Sequence, residues 1–407
     1  MKLFKSYYRW YVLVLAMLTY GVIAGAERMA LPVLFKEIST DLNLSVVSIG
    51  TIWGMDPLAG IFIGLPGGLL ADRFGLTRTL TIVCIMSGIF CALRGFSVNF
   101  MTMALSMFLF GLMAAMTPST TPKITAVWFS GKYLGLTNAL LNIAWSTGSM
   151  VSTMLSATVL SPLLGGWRHV MFFLGAPAVI VGLLWLITGR DPDKREPVRA
   201  SITTVPLRES LSRVIRIKEL WILGLVQLFL WSTYTGSNGY LALYLRNIGW
   251  TPAGADAAIT ILTGASLAGT IPMILLSNRL QAPKAMIVFS IVILIASNAV
   301  LPFVRNEMVY PLLAISGFLR SAGPALTNML IFETPGVGTS YAGGAIGLTT
   351  TVGMIGSFAG PPLGNSLAVY GAGMPFLFWA LTAAVSLPLF LLVKENRAPE
   401  KALEKSG

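Results

Sequence analysis

Long apolar runs alternate with short polar turns along the whole chain. Roughly 20 apolar residues cross the hydrocarbon core of a bilayer, and the pattern predicts twelve runs of about that length, near 10–34, 46–71, 79–97, 100–127, 133–160, 169–189, 220–245, 257–277, 285–304, 308–332, 340–369 and 374–393. An even number returns both termini to one side. The start, Met1 to Gly21, has the basic-then-apolar look of a secretory signal. Its apolar pattern continues past Gly25 with no soluble domain behind it, so it reads as the first spanning helix. The longest polar stretch, Arg190 to Glu219, divides the chain into residues 1–189, a linker at 190–219, and residues 220–407 with a polar tail. Within the linker, Leu207 to Lys218 reads either as a basic amphipathic helix on the membrane surface or as a solvated connector. The expected fold class is an all-α membrane protein of twelve transmembrane helices in two pseudo-symmetric six-helix bundles.

A second pattern overlies the first. Asn278, Arg279 and Lys284 each lie 206 residues after Asp72, Arg73 and Arg78, and Pro66 and Pro272, Gly111 and Gly317, and Pro118 and Pro324 keep the same spacing. Gly148-Ser149 recurs as Gly356-Ser357 at 208, and Trp10 and Gly25 recur as Trp221 and Gly236 at 211. Small drifts around a fixed offset are what loop-length differences between two related halves produce. A substrate path then lies most naturally between the halves.

Composition and charge narrow the class. The chain is 55% hydrophobic and 11% charged, against about 25% charged residues in ordinary globular proteins. The formal charge of +12 invites a nucleic-acid reading, but its distribution is that of a topology signal. With the N-terminus inside, the inner segments carry 20 of the 28 Lys and Arg and the outer ones five, while Arg28, Lys123 and Arg320 remain within runs. This bias puts both termini in the cytoplasm of a multi-pass protein, expected in the cytoplasmic membrane of a bacterium or archaeon, as a monomer with no nucleic-acid partner. Cys84 and Cys91 read as helix-packing residues, and a single histidine, His169, excludes a multi-histidine metal site. No nucleotide loop, metal-ligand cluster or nucleophile–base arrangement marks an enzyme, and no cofactor is expected.

The turn Gly68-x-x-x-Asp72-Arg73-x-Gly75 between the second and third runs, with Arg78 following, resembles the signature loop of the major facilitator superfamily, although Leu76 and Thr77 stand where basic residues are usual. The six-plus-six layout extends the resemblance over nearly the whole chain. It implies alternating access, with Gly68, Asp72, Arg73, Gly75 and Arg78 forming a conformational joint and not a binding site. Glu27-Arg28, followed by Ala30-Leu31-Pro32, and the run Gly111 to Phe129 with Lys123 are similar to the organic-anion and anion:cation symporter branch. That branch often has an acid early in its fourth span, where Ala114 stands here. Gly360-Pro361-Pro362-Leu363-Gly364 resembles monocarboxylate and oxalate/formate carriers, and the cyanate-permease branch is a further near relative in style. The Gly-Pro motif of drug/proton antiporters is not present in the fifth run, which reads Trp145-Ser146-Thr147-Gly148.

Charges within the runs are the candidate chemistry, because an ion at the bilayer centre costs a few kcal/mol or more unless it is compensated. Arg320 falls about 18 Å into the tenth run at 1.5 Å per residue, near the midplane, with Thr327 and Asn328 on the same face. It is the leading candidate for holding an anionic group, the alternative being a structural ion pair. Arg28 shares a helical face with Tyr20 and Ala24 and is expected to capture an anion on the outer side, while Glu27 points about 100° away and is a candidate proton carrier. Asp56, beside Pro57, is the second proton-coupling candidate and can pair with Arg28 or Arg320. Lys123, below Thr117 to Thr121, either receives the anion on the inner side or reaches the headgroups. Arg94 is expected to reach the outer surface. Two polar–aromatic stripes, Asn138-Asn142-Trp145-Ser149 and Gln227-Trp231-Tyr234-Asn238, either line a cavity or hold helices together.

The excess of buried cations favours a secondary transporter of a small organic anion, such as a carboxylate, with or without a coupled proton. Its expected substrate-binding residues are Arg320, Arg28, Lys123, Tyr20, Asn142, Tyr234, Asn238 and Asn328. The alternatives are a carrier of a neutral or cationic solute and a non-transporting membrane sensor on the same fold.

Overall fold

The computed structural model describes residues 2–129, 133–190, 207–304 and 306–393. Twelve helical spans run antiparallel in turn, with no strand among the described residues. The first is continuous through Lys2–Thr19, Tyr20–Glu27 and Arg28–Asp41, its middle section wound as a π-helix. The second to sixth are Val46–Phe74, Leu76–Gly95, Phe100–Ala114 with Thr117–Trp128, the run from Tyr133 to Leu164, and Trp167–Thr188. The seventh to twelfth are Lys218–Asn247, Pro252–Leu280, Pro283–Val300, Val309–Arg320 with Gly323–Glu333, Gly338–Ser366, and Met374–Leu391. Ten of these are long and apolar enough to cross a membrane. The seventh, which carries a polar stripe, and the broken tenth lie outside that count. Leu207–Val214 forms a short helix whose Arg213 covers the Tyr341 ring. Most of the expected linker, 191–206, lies outside the described residues.

The offset of 206 is written into the backbone. Left-handed or otherwise positive φ recurs at Asn43 and Gly249, at Gly75 and Gln281, and at Gly165 and Gly371. Ser45 and Thr251 each cap a helix by accepting the N–H three residues on. The fourth span breaks after Ala114 and resumes at Thr117, and the tenth breaks after Arg320 and resumes at Gly323. The helix crossings repeat as well. A Cβ on Gly111 would come 2.7 Å from the backbone of Asp56, and one on Gly317 would come 2.5 Å from that of Leu262. Gly148 lies against the Gly21 carbonyl, and Gly356 against that of Leu228, too closely for any side chain. Small residues allow membrane helices to approach this closely.

The face holding residues 2 and 393 is the terminal face and its opposite the distal face. The two halves touch at the distal face and part toward the terminal one. Along the second span, a Cβ at Gly50 would meet Asn365 at 2.6 Å, one at Gly54 would meet Phe358 at 2.6 Å and one at Gly60 would meet Met354 at 2.8 Å, whereas Gly64 has open space around it. Trp53 reaches across to donate to the Thr235 carbonyl at 2.9 Å, Asn365 donates to the Val46 carbonyl at 2.8 Å and Lys36 to Asn247 at 2.8 Å. The densest part of this seam is charged. Arg246 sits 2.9 Å from Asp256 and 3.9 Å from Glu37, Thr158 donates to Asp256 at 2.7 Å, and Ser161 donates to Glu37 at 2.5 Å. Arg246 and Asp256 are almost fully buried.

Two stability outcomes follow from this packing, both read by thermal unfolding in detergent. On the eleventh helix, Gly343→Ala faces open space and is expected to stabilise by up to about 1 kcal/mol through helix propensity, whereas Gly356→Ala wedges the seventh and eleventh spans apart and destabilises. Arg246→Leu leaves Asp256 buried without its cation and is expected to lose about 3–5 kcal/mol, most of it recovered in the double variant Arg246→Leu/Asp256→Leu. Equal losses in the single and double variants would remove the pair as the reason for its burial.

Candidate functional site

Pro324 has no N–H for the carbonyl four residues earlier, and its ring crowds that carbonyl; the residue in question is Arg320. The tenth span accordingly ends one helix at Arg320 and starts another at Gly323. Pro118 breaks the fourth span in the same way, and there the hydroxyls of Thr117, Ser119 and Thr120 donate to the carbonyls of Ala114 and Met116. Arg320 thus occupies the position that Ala114 holds in the first half. Its side chain is 7% exposed, and its guanidinium lies 5.0 Å from the centre of the Tyr234 ring. Among the described residues it has neither a carboxylate within ion-pair distance nor a hydrogen bond.

Two cavities flank this arginine–tyrosine contact inside the second half. The one toward the distal face, 20 Å³, is lined by Arg320, Asn238, Asn298 and Ser316. The one toward the terminal face, 50 Å³, is lined by Tyr234, Gln227, Trp231, Ser290, Thr327 and Asn328. About one water fits the first and three or four fit the second. Asn238 Oδ1 and Gln227 Oε1 are buried without hydrogen-bond partners, an uncommon state for buried polar atoms. The stripe expected on the seventh span therefore lines both cavities. The stripe on the fifth span divides. Trp145 donates to the Ala24 carbonyl at 3.1 Å, tying the fifth span to the first, Ser149 bonds back to the Trp145 carbonyl within its own helix, and Asn138 and Asn142 are exposed in the terminal half.

In the first half, Arg28 Nε lies 2.6 Å from Asp56 Oδ2, an ion pair without the alignment of a hydrogen bond. Of the two partners open to Asp56, the structure pairs it with Arg28. The Arg28 side chain remains 35% exposed. Glu27 turns away from it and is fully buried, with neither carboxylate oxygen bonded. The expected Tyr20-Ala24-Arg28 stripe is altered, because the span is π-wound from Tyr20 to Glu27 and its i→i+5 bonding changes the rotation per residue. Ala24 is buried, while Tyr20 and Arg28 are partly exposed. Arg94 does not reach the surface. It is 0% exposed, donating to the Glu27 carbonyl at 2.9 Å and lying 3.9 Å from the Phe110 ring centre. Its position near a span end concealed this role, since only tertiary packing reveals the carbonyl and the ring it meets. Sequence reasoning also missed Arg246, Asp256 and Glu37: it counted Arg246 only among the five outer cations and singled out neither acid.

The remaining candidates are dispersed. Lys123 is half-buried on Thr117–Trp128 and engaged with a partner. In the signature turn, Gly75 has φ 93° and ends the second helix, and Arg73 and Arg78 are exposed on the terminal face. The surroundings of Gly68 and the placement of the Asp72 side chain lie outside what the structure describes. Cys84 and Cys91 are buried free thiols, and no group of ligating side chains suited to a metal occurs among the described residues.

Known proteins share this architecture. A bacterial homologue of the human lysosomal transporter Spinster, solved in an inward-facing, unoccupied conformation, superposes with a TM-score of 0.79 over 95% of this chain and 97% of its own, at 17% identity. A point mutant of the nucleoside transporter NupG does so with a TM-score of 0.79 over 95% and 100%, at 14% identity. These likenesses concern the fold. In sequence, the chain is 28% identical over 200 residues to the probable galactarate/D-glucarate transporter GarP of Escherichia coli (strain K12), covering 46% of this chain and 43% of that one. It is 26% identical over 238 residues to the cis,cis-muconate transport protein of Acinetobacter baylyi (strain ATCC 33305 / BD413 / ADP1), covering 56% of each. The chain thus matches about half the length of these curated relatives. The model of the Major Facilitator Superfamily matches residues 16–361, and with the paired bundles and the repeated backbone this places the chain in the Major Facilitator Superfamily.

Proposed function

We propose that this protein is a secondary carrier of small organic anions that works by alternating access, with a carboxylate as the group it recognises. The observation that carries this reading is Arg320, buried beside a polar cavity with only an aromatic ring against its charge. A carboxylate would supply the missing partner through charge-assisted, bidentate hydrogen bonds. The half-helix beginning at Gly323 adds its N-terminal dipole on the same side. The relatives named for galactarate/D-glucarate and for muconate transport both carry organic acids, which agrees with this chemistry.

The other roles follow from position. Tyr234, Asn238 and Asn328 orient the ligand around Arg320. Arg28, partly exposed and held by Asp56, meets the anion from the first half, with Tyr20 beside it. Lys123 and Asn142 serve the terminal half of the path. Glu27, whose carboxylate finds no donor, and Asp56 are the candidate proton carriers. The excess of Lys and Arg on the terminal face makes that face cytoplasmic and the conformation, sealed at the distal face, inward-facing, in the cytoplasmic membrane of a bacterium or archaeon. Residues 1–189 and 220–407 then rock about the site as two units, joined by 190–219, with the Gly68–Arg78 turn acting at their closure and a single chain sufficing.

Uptake of radiolabelled galactarate, muconate and shorter carboxylates into proteoliposomes tests the proposal. Removing one member of a buried charge pair costs about 2 kcal/mol or more, so Arg320→Ala is expected to lower apparent affinity for the transported acid at least about thirtyfold, with Arg320→Lys intermediate. Undiminished uptake by Arg320→Ala, or competition by neutral solutes and not by acids, would contradict it.

A further inference from the structure

Arg320 meets two environments. Tyr234 covers it toward the terminal face, and toward the distal face it lines the 20 Å³ cavity. That cavity is walled entirely by the second half, with Asn238 on the seventh span, Leu262 on the eighth, Asn298 on the ninth, Ser316 beside Arg320 on the tenth, and Phe376 on the twelfth. It is an interior chamber of one bundle and not part of the opening between the bundles. With room for about one water, it is also too small for an organic acid.

The polar groups left unspent at its wall favour an anion. The guanidinium nitrogens of Arg320 are not sealed off as Nε and Nη2 of Arg94 are. Asn238 Oδ1 is sealed in protein, so the amide atom left open is Nδ2, a donor. The Ser316 hydroxyl has no hydrogen bond among the described residues. The hydroxyls of Ser237 and Ser297 are already spent on the carbonyls of Thr233 at 2.7 Å and Leu294 at 3.1 Å. Asn298 donates to the Leu294 carbonyl at 2.8 Å, which leaves its oxygen as an acceptor in the wall. No carboxylate lines the cavity. A water there would leave the charge of Arg320 uncompensated, and a buried bare charge is costly. A monatomic anion little wider than water supplies the missing charge and accepts from Arg320, Asn238 and Ser316 together. The leucines and Phe376 of the remaining wall favour an anion that sheds its hydration readily, so chloride or bromide over fluoride or sulfate.

We infer that this cavity is a halide site, in which chloride held by Arg320, Asn238 Nδ2 and Ser316 is the counter-ion of the buried guanidinium when no acid is bound. The inference goes beyond the carboxylate reading and does not depend on it, although both start from the same unpaired cation. It gives the unloaded carrier a compensated interior, so that the second half moves without a bare charge inside it. A carboxylate arriving past Tyr234 from the terminal face takes the guanidinium over from the halide, and chloride and organic acids therefore compete.

Two measurements on the full-length protein in detergent test the site. Crystals grown in sodium bromide are expected to show a bromide anomalous-scattering peak in this cavity, beside Arg320. This first measurement uses the wild type alone and is independent of how well any variant folds. The second is thermal unfolding titrated with sodium chloride, with sodium methanesulfonate holding the ionic strength constant. Its midpoint is expected to rise and saturate, because a ligand of the native state stabilises that state. Ser316→Ala removes a hydrogen bond to a charged group and is expected to raise the half-saturating chloride about tenfold, and Arg320→Gln is expected to abolish the response. A bromide structure without a peak there, or a midpoint that rises equally in Arg320→Gln, overturns the halide site. A saturating chloride response in a protein that binds no organic acid upholds the halide site and overturns the carboxylate reading. Binding of organic acids with neither a peak nor a chloride response does the reverse.

Discussion

A cation held inside a helical bundle in a bilayer must be compensated by something, and each arginine within the spans here is compensated differently. Arg246 has two carboxylates, Asp256 and Glu37. Arg28 has Asp56. Arg94 has a backbone carbonyl, the face of Phe110 and the nearby carboxylate of Glu27. Arg320 has the Tyr234 ring alone among the described residues. A cation–π contact gains about 2 kcal/mol when desolvated, less than burial of a guanidinium costs. The shortfall is what a carboxylate would remove under the proposed function.

The architecture places that shortfall at a point of broken symmetry. Both halves interrupt the same span with a proline, and both free a carbonyl at the break. In the first half alanine stands there and threonine and serine hydroxyls take the carbonyls, so the break is neutral and closed. In the second half arginine stands there beside two polar cavities. Pseudo-symmetry thus supplies a pair of equivalent backbone interruptions, and a single residue difference places a buried cation at one of them, where the proposed anion site lies. The distal seam complements this. Its polar ties, from Trp53–Thr235 to Thr158–Asp256, hold the halves together on one face while leaving the other open, and alternating access requires that these ties be exchanged for others.

Much of this was legible in the residues. The runs of about twenty apolar positions marked the twelve spans, and the 206-residue offset anticipated the paired breaks and the paired turns, because both are set locally by proline, by capping hydroxyls and by the residues allowed at positive φ. Arg320 was legible because no acid shares its span before Glu333, at the far end. What stayed hidden depends on contacts between distant segments. The π-winding at Tyr20–Glu27 displaced the Tyr20–Arg28 stripe. The destination of Arg94 rests on a carbonyl 67 residues earlier in the chain. Arg246 and Asp256 sit ten residues apart beside a turn between spans, and only the meeting of the fifth, seventh and eighth spans makes them a buried pair.

The most direct measurement is a structure of the protein with its transported acid bound. A carboxylate is expected within about 3 Å of the Arg320 guanidinium nitrogens, with the rest of the ligand extending past Tyr234 toward the open face. Ligand density confined to Arg28 or Lys123, with Arg320 still held by the Tyr234 ring alone, would contradict Arg320 as the anchor.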